Sequence, residues 1–229
     1  MERWLWRLGA AAFLGLMAIL VDRYAPSQHL PWKPLDLKAP IGWGTGAKLD
    51  ALSSRTEACF RVLETGGIEL QRIDESAPGE PCGFYGALHL QKSHTPYSAP
   101  LRTTCSLAAA LNVWERHILQ PAAEEHFSQG VARIDTFGTF SCRRINNASS
   151  GRWSEHAGAN AIDISGFRLE DGTVIRVVED WRADDPSGAF LNDVFDGACR
   201  LFRVGLGPDY NAAHADHFHF DMGPGFTCR

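Results

Sequence analysis

Three of the nine histidines in the chain crowd into HADHFHFD, residues 214 to 221. A neutral imidazole is both a ligand for first-row metal ions and a base near neutral pH, so such crowding points to metal binding or proton transfer. If DHFHFDM is an extended strand, His217, His219 and Asp221 project from one face and Phe218 and Phe220 from the other. One face is then apolar, and the other can bind something on a backbone made rigid by packing. A second segment, SEHAGANAIDIS (154 to 165), places Ile162 and Ile164 on one face of a strand and Asp163 on the other. His156 stands seven positions earlier, in the loop entering that strand, free to fold back toward the carboxylate. Two imidazoles from separate segments and one carboxylate make three protein ligands. Three such ligands plus a water constitute an open, catalytic zinc site.

These segments resemble known motifs. SEHAGANAIDI followed some fifty residues later by HADHFHFD is similar to the SxHxxGxAxD and HxH pair of the D-alanyl-D-alanine carboxypeptidase, lysostaphin-type and hedgehog-like metallopeptidases. Residues 59 to 229 look more closely like the extensin-like C-terminal domain proteins of bacteria, through GTFSCR, SEHAGANAIDI, Asp180-Trp181, LGPDYN and HADHFHFD. The resemblance implies a hedgehog- and DD-peptidase-like site in which His156, Asp163 and His219 hold Zn2+. His217 becomes the base or transition-state stabiliser, and His214 matches an additional histidine of the murein endopeptidases. Arg143, after GTFSC, is a candidate to hold a substrate carboxylate or the oxyanion, because a guanidinium offers a fixed fork of donors. The implied activity is that of an exported zinc-dependent peptidase or amidase acting on peptidoglycan peptide bonds. The alternative is a catalytically inactive cell-wall-binding or structural module that keeps the metal-site fold. A plant-type extensin would need repeats of serine followed by proline runs, which are absent. Two departures stand out: Ala159 occupies the place of the motif glycine, with Gly158 one position early, and no ExxH supplies a glutamate base. His217 is left as the base.

Composition narrows the classes further. At 229 residues, 45% hydrophobic and 21% charged, the chain has an ordinary globular make-up. A net charge of -5 argues against a nucleic-acid partner, and no P-loop or dinucleotide-type glycine pattern is present. Residues 1 to 24 read as a signal peptide or signal anchor: Arg3 and Arg7 precede an apolar run from Leu8 to Val21 with no small-x-small cleavage site behind it. An uncleaved transmembrane helix in the inner membrane, with a periplasmic domain, is the expectation, against a buried N-terminal helix as the bland alternative. Residues 25 to 50, rich in Pro and Gly and without periodicity, read as a linker, and 51 to 229 as the domain. Cys59, Cys82, Cys105, Cys142, Cys199 and Cys228 form no CxxC pair; beyond an export segment they read as three disulfides of open pairing, with Cys228 tying down the terminus.

The elements that must carry these residues can be outlined. Leu52, Cys59, Phe60 and Leu63 predict a helix from Ala51 to about Gly66, and CSLAAALNVWERHILQPAAEEHF predicts a second, with His117 and His126 as ordinary helix residues. Ser187 to Phe202 predicts another. Strands are expected at Ala87 to Leu90, at VARIDTFG, and in a hairpin of AIDISGF and TVIRVV turning at Asp171-Gly172. Asp180-Trp181 is expected to pack an indole beside the site, Asp184 to Pro186 to cap a helix, and Tyr210 and Asn211 to line the cleft or the core. The fold class is α+β: a small antiparallel sheet with flanking helices.

Overall fold

A computed structural model describes residues 2–77 and 79–229; Met1 of the export segment and Pro78 of the Gly/Pro-rich stretch lie outside them. The export segment is a helix, α1 (Glu2–Tyr24), whose apolar side chains Trp4, Trp6, Phe13, Leu14 and Ile19 are exposed, so it is not a core helix. The expected transmembrane helix is not found: no helix among the described residues is long and apolar enough to cross a membrane. The uninterrupted apolar run is the reason, since Leu8 to Val21 extends about 21 Å as a helix against a hydrocarbon core of roughly 30 Å.

The segment read as a linker does not hang free. Leu30, Leu37 and Leu49 are buried, and α2 (Thr45–Leu52) begins within it. Lys48 is buried too, its Nζ donating to the carbonyls of Ser27 at 2.6 Å and Pro34 at 3.3 Å. Isolated leucines in a Pro-rich chain carry no period, yet each found a place in the core. The helix expected from Ala51 to Gly66 is divided into the end of α2 and α3 (Thr56–Gly66). Ser53 and Ser54 turn their hydroxyls back onto the carbonyls of Asp50 and Ala51, a local alternative to continuing the helix.

The central helix runs as expected from Cys105 to Phe127, as α4 (Cys105–Trp114), a π turn (Glu115–Leu119) and α5 (Gln120–Phe127). Gln120 donates its amide to Glu115, five residues back, just before Pro121 withholds a donor from the ladder. All ten residues of α4 are buried, and Trp114 Nε1 donates to the Val194 carbonyl at 3.1 Å. A three-stranded antiparallel sheet, β1 (Glu69–Arg72), β2 (Ala87–Lys92) and β3 (Leu101–Thr104), lies to one side.

The main sheet contains β4 (Val131–Gly138), β5 (Ala161–Leu169), β6 (Val174–Arg176), β7 (Val204–Leu206), β8 (Phe218–Asp221) and β9 (Thr227–Cys228). Its order is β4-β5-β8-β7-β9, with β6 also pairing β5 through the expected hairpin; only β7 and β9 run parallel. Gly172, at φ 91, makes that hairpin turn. Between the hairpin and β7 come α6 (Val177–Asp180) and α7 (Pro186–Ala198), the latter capped by Asp185 through the amides of Ser187 and Gly188. One face of the sheet packs on the helices through aromatic rings: Phe220 meets Trp114 at 5.8 Å and Phe202 at 4.9 Å, and Phe218 meets Phe195 at 5.2 Å. The molecule is thus α+β, a small, largely antiparallel sheet with flanking helices. Disulfides join Cys59 to Cys105, Cys82 to Cys142 and Cys199 to Cys228, and no described cysteine is free. Three such bonds point to an oxidising environment outside the cytoplasm.

Candidate metal centre

The antiparallel pairing of β5 with β8 sets Asp163 directly opposite His219, Ile162 opposite Phe220 and Ile164 opposite Phe218. Alternation then does the sorting: the four apolar side chains are fully buried, and the acid and the imidazole share the other face. His156 arrives on a single 3-10 turn, Glu155–Gly158, whose start is capped by the Ser154 hydroxyl accepting the His156 amide. The turn closes at Ala159 with φ 55, a left-handed backbone that glycine adopts freely and alanine adopts at a cost of about 1 kcal/mol. Alanine in place of the motif glycine therefore changes the cost of this turn, not its shape.

Three ligand atoms converge. His156 Nε2 lies 3.1 Å from Asp163 Oδ1 and 3.1 Å from His219 Nδ1, which is 2.9 Å from the same oxygen. The far nitrogen of each ring is engaged: His156 Nδ1 with the Thr139 carbonyl at 3.2 Å, His219 Nε2 with Asp221 Oδ2 at 3.0 Å. With the ring protons on those acceptors, lone pairs from two nitrogens would face a carboxylate oxygen at contact distance. Such an arrangement is repulsive unless a proton or a metal cation sits among them. The separations are close to the roughly 3.3 Å edge of a tetrahedron of N and O ligands at zinc distances. His156, Asp163 and His219 can hold a metal ion, with all three ligand atoms within 4.8 Å of one another.

The titration behaviour has the same sign. Burial opposes ionisation of Asp163, but His156 and His219 outweigh it and hold the carboxyl far below the usual carboxylate range. Burial would lower His219, yet Asp163 and Asp221 push it up to about 9. A proton and a metal ion would compete for this position. His214 behaves oppositely, lowered to about 4 by burial and by the neighbouring His217 and His219.

The remaining sequence-predicted residues gather around this point. His217 presents Nε2 to Asp163 Oδ1 at 3.4 Å while Nδ1 meets Asp216 at 2.8 Å. The His214 ring centre lies 5.2 Å from that of His217 and 5.9 Å from that of His219. Arg143 lines the same cleft of about 830 Å³, as do Tyr210 and Asn211. Trp181 instead packs on Phe195 and Phe218, beneath the apolar face of the sheet, and His117 and His126 bond to Leu37 and Asp193 away from the site.

What the sequence did not expose is the wall carrying Arg143. Residues 141 to 156 form an arm folded back on itself, held by Ser141 to His156, Ser154 to Arg143 and Ile145 to Arg152 backbone bonds. Its base is fastened by Cys82–Cys142, its tip turns through left-handed Asn146 and Asn147, and its returning limb runs into the 3-10 turn that carries His156. Arg152 and Trp153 on this arm also line the cleft. Asp216 and Asp221 engage His217 and His219; the sequence placed Asp221 on the histidine face but gave it no role as a partner of His219.

The extensin-like protein C-terminus family matches residues 57–229, about three quarters of the chain. The chain belongs to that family. No curated protein and no solved structure matches it. For this extensin-like domain the geometry of the site, rather than a characterised relative, has to carry any statement about chemistry.

Proposed function

We propose that this extensin-like protein is an exported, periplasmic zinc-dependent peptidase or amidase acting on the peptide bonds of peptidoglycan. The observation that carries the reading is the convergence of His156 Nε2, Asp163 Oδ1 and His219 Nδ1 within 3.1 Å of one another on the wall of an open cleft. Two imidazoles and one carboxylate form the mixed N/O donor set that suits zinc. A zinc ion held there supplies Lewis acidity, polarising a carbonyl and acidifying water.

The chain's own residues support the rest. His217, with Nδ1 engaged by Asp216, has Nε2 aimed into the site, where it can take a proton from water and pass it to a leaving amine. His214, deprotonated near neutrality, is a second acceptor beside it. Arg143 and Arg152 line the cleft and form no ion pair among the described residues, so their charge is available to an anionic ligand such as a peptide carboxylate. The resemblance of SEHAGANAIDI and HADHFHFD to the murein peptidase motifs favours a stem peptide or cross-bridge as that ligand.

The test is metal analysis of the purified full chain together with mass spectrometry of sacculi digested by it. One zinc per chain and new muropeptides are expected; chelation should remove both, whereas His217→Ala should abolish the muropeptides and keep the zinc. Zinc without any change in muropeptides would replace the hydrolase by a binding module.

A further inference from the structure

Each imidazole around the cleft has one ring nitrogen occupied by an acceptor of the chain, and these acceptors are not alike. Behind His156 stands the neutral Thr139 carbonyl, and behind His214 the neutral side-chain oxygen of Asn211 at 2.8 Å. Behind His219 stands a carboxylate, Asp221 Oδ2 at 3.0 Å, and this one is buried: its side chain is 8% exposed, against 54% for Asp216 behind His217. A carboxylate at that depth is costly unless its interactions require it. Both oxygens of Asp221 are used, Oδ2 by the His219 ring and Oδ1 by the Gly223 amide at 2.8 Å.

We propose that Asp221 is a positioning residue of the metal centre, fixing the His219 tautomer that leaves Nδ1 free to bind a divalent cation and adding a second negative charge behind it. The inference rests on the reading of His156, Asp163 and His219 as metal ligands. A ring flip of His219 would exchange carbon for nitrogen at both contacts, so only one orientation satisfies Asp163 and Asp221 together. Asp163 and Asp221 set one carboxylate at each side of the His219 ring, an arrangement that suits a doubly charged ion. The same strand therefore carries both a ligand and the group that orients it, two residues apart on one face.

Zn2+ affinity of the full chain, measured by competition with a chromophoric chelator, tests the proposal with Asp221→Asn and Asp216→Asn in parallel. Asp221→Asn is expected to weaken Zn2+ binding about 10–100-fold and to alter the visible spectrum of the Co2+-loaded protein, while Asp216→Asn leaves both unchanged. Nitrogen-15 NMR of the Zn2+-loaded wild type requires no variant to fold, and should find His219 protonated at Nε2 and not at Nδ1. Wild-type affinity in a folded Asp221→Asn protein, or the opposite tautomer, overturns the role of Asp221 alone. A wild-type chain that binds no Zn2+ overturns the ligand assignment, and this inference with it.

Discussion

Two carboxylates of this protein are withdrawn from water and are pushed in opposite directions. Asp163 faces two imidazoles at the wall of an open cleft and is held ionised. Glu115, in the π turn between α4 and α5, is fully buried among neutral donors: the Ser93 hydroxyl at 2.7 Å, the Thr95 amide at 2.8 Å and the Tyr97 hydroxyl at 2.5 Å. Its burial outweighs all of these, and its pKa is pushed up to about 7. Several good hydrogen bonds from neutral groups do not replace a nearby cation. The difference separates a place that attracts positive charge from a knot that ties chain segments together. What Glu115 ties is the loop Ser93 to Tyr97, which continues into Ser98 and Pro96 backbone bonds with Ile134 of β4.

Truncating each carboxylate breaks the comparison most directly. Asp163→Ala removes the atom shared by both imidazoles, so Zn2+ affinity should fall by more than the roughly 100-fold that loss of an outer partner costs, and any hydrolysis should disappear. The fold should survive, because the side chain is on the cleft face and not in the core. Chelator competition and thermal melting of the same preparation check both halves. Glu115→Ala should do the reverse. It leaves the donors of Ser93, Thr95 and Tyr97 without their acceptor and opens a cavity, a loss of about 3 kcal/mol that urea unfolding would measure. Zn2+ binding by the folded fraction should be unaffected. If Glu115→Ala abolishes metal binding while the protein remains folded, the two regions are coupled and the comparison fails.

A pH series sharpens the contrast through its sign. Glu115 has a folded pKa near 7 against an ordinary value of 4.5, so between those limits the native state binds more protons than the unfolded chain. Stability from this group is therefore complete below about pH 4.5, declines as the pH rises, and is fully lost above about pH 7. The shift corresponds to on the order of 3 kcal/mol. Glu115→Gln should flatten the part of the stability profile that falls across this window. A wild-type profile with no descent attributable to Glu115, the same in Glu115→Gln, would mean that the carboxylate is ionised in the native protein.

The site was more legible in the sequence than its supports. Alternation in DHFHFDM and AIDIS already separates the Phe and Ile face from the His and Asp face, because a half-buried strand must obey a period of two. The partner of each strand was not legible, since pairing of Asp163 with His219 is set by the whole sheet. Nothing in the string marks Glu115 as different from the other acids of its helix; only the packing of the Ser93 loop against it does so. The segment from 25 to 50 misled for a related reason, as single buried leucines between prolines produce no pattern. The short strands β7 and β9 are held by neighbours and by Cys199–Cys228, so local propensity had little to report.

Ala159 gives the smallest effect and the finest test of how the site is built. Its backbone is left-handed and its methyl is fully buried, so Ala159→Gly relieves one term and loses another. Relief of the strained backbone contributes about 1 kcal/mol. Loss of the buried methyl costs about 0.8 kcal/mol, and the added freedom of glycine in the unfolded chain a further ~0.5 to 1 kcal/mol. Stability should therefore stay within about 1 kcal/mol of wild type, slightly to the unstable side. Zn2+ affinity should not change, because the position of His156 is set by the turn itself, by the Ser154 cap and by the Thr139 carbonyl behind its ring. If affinity drops tenfold in Ala159→Gly while the melting temperature holds, the methyl rather than the backbone turn places the imidazole. The site would then depend on core packing in the way the Glu115 region does.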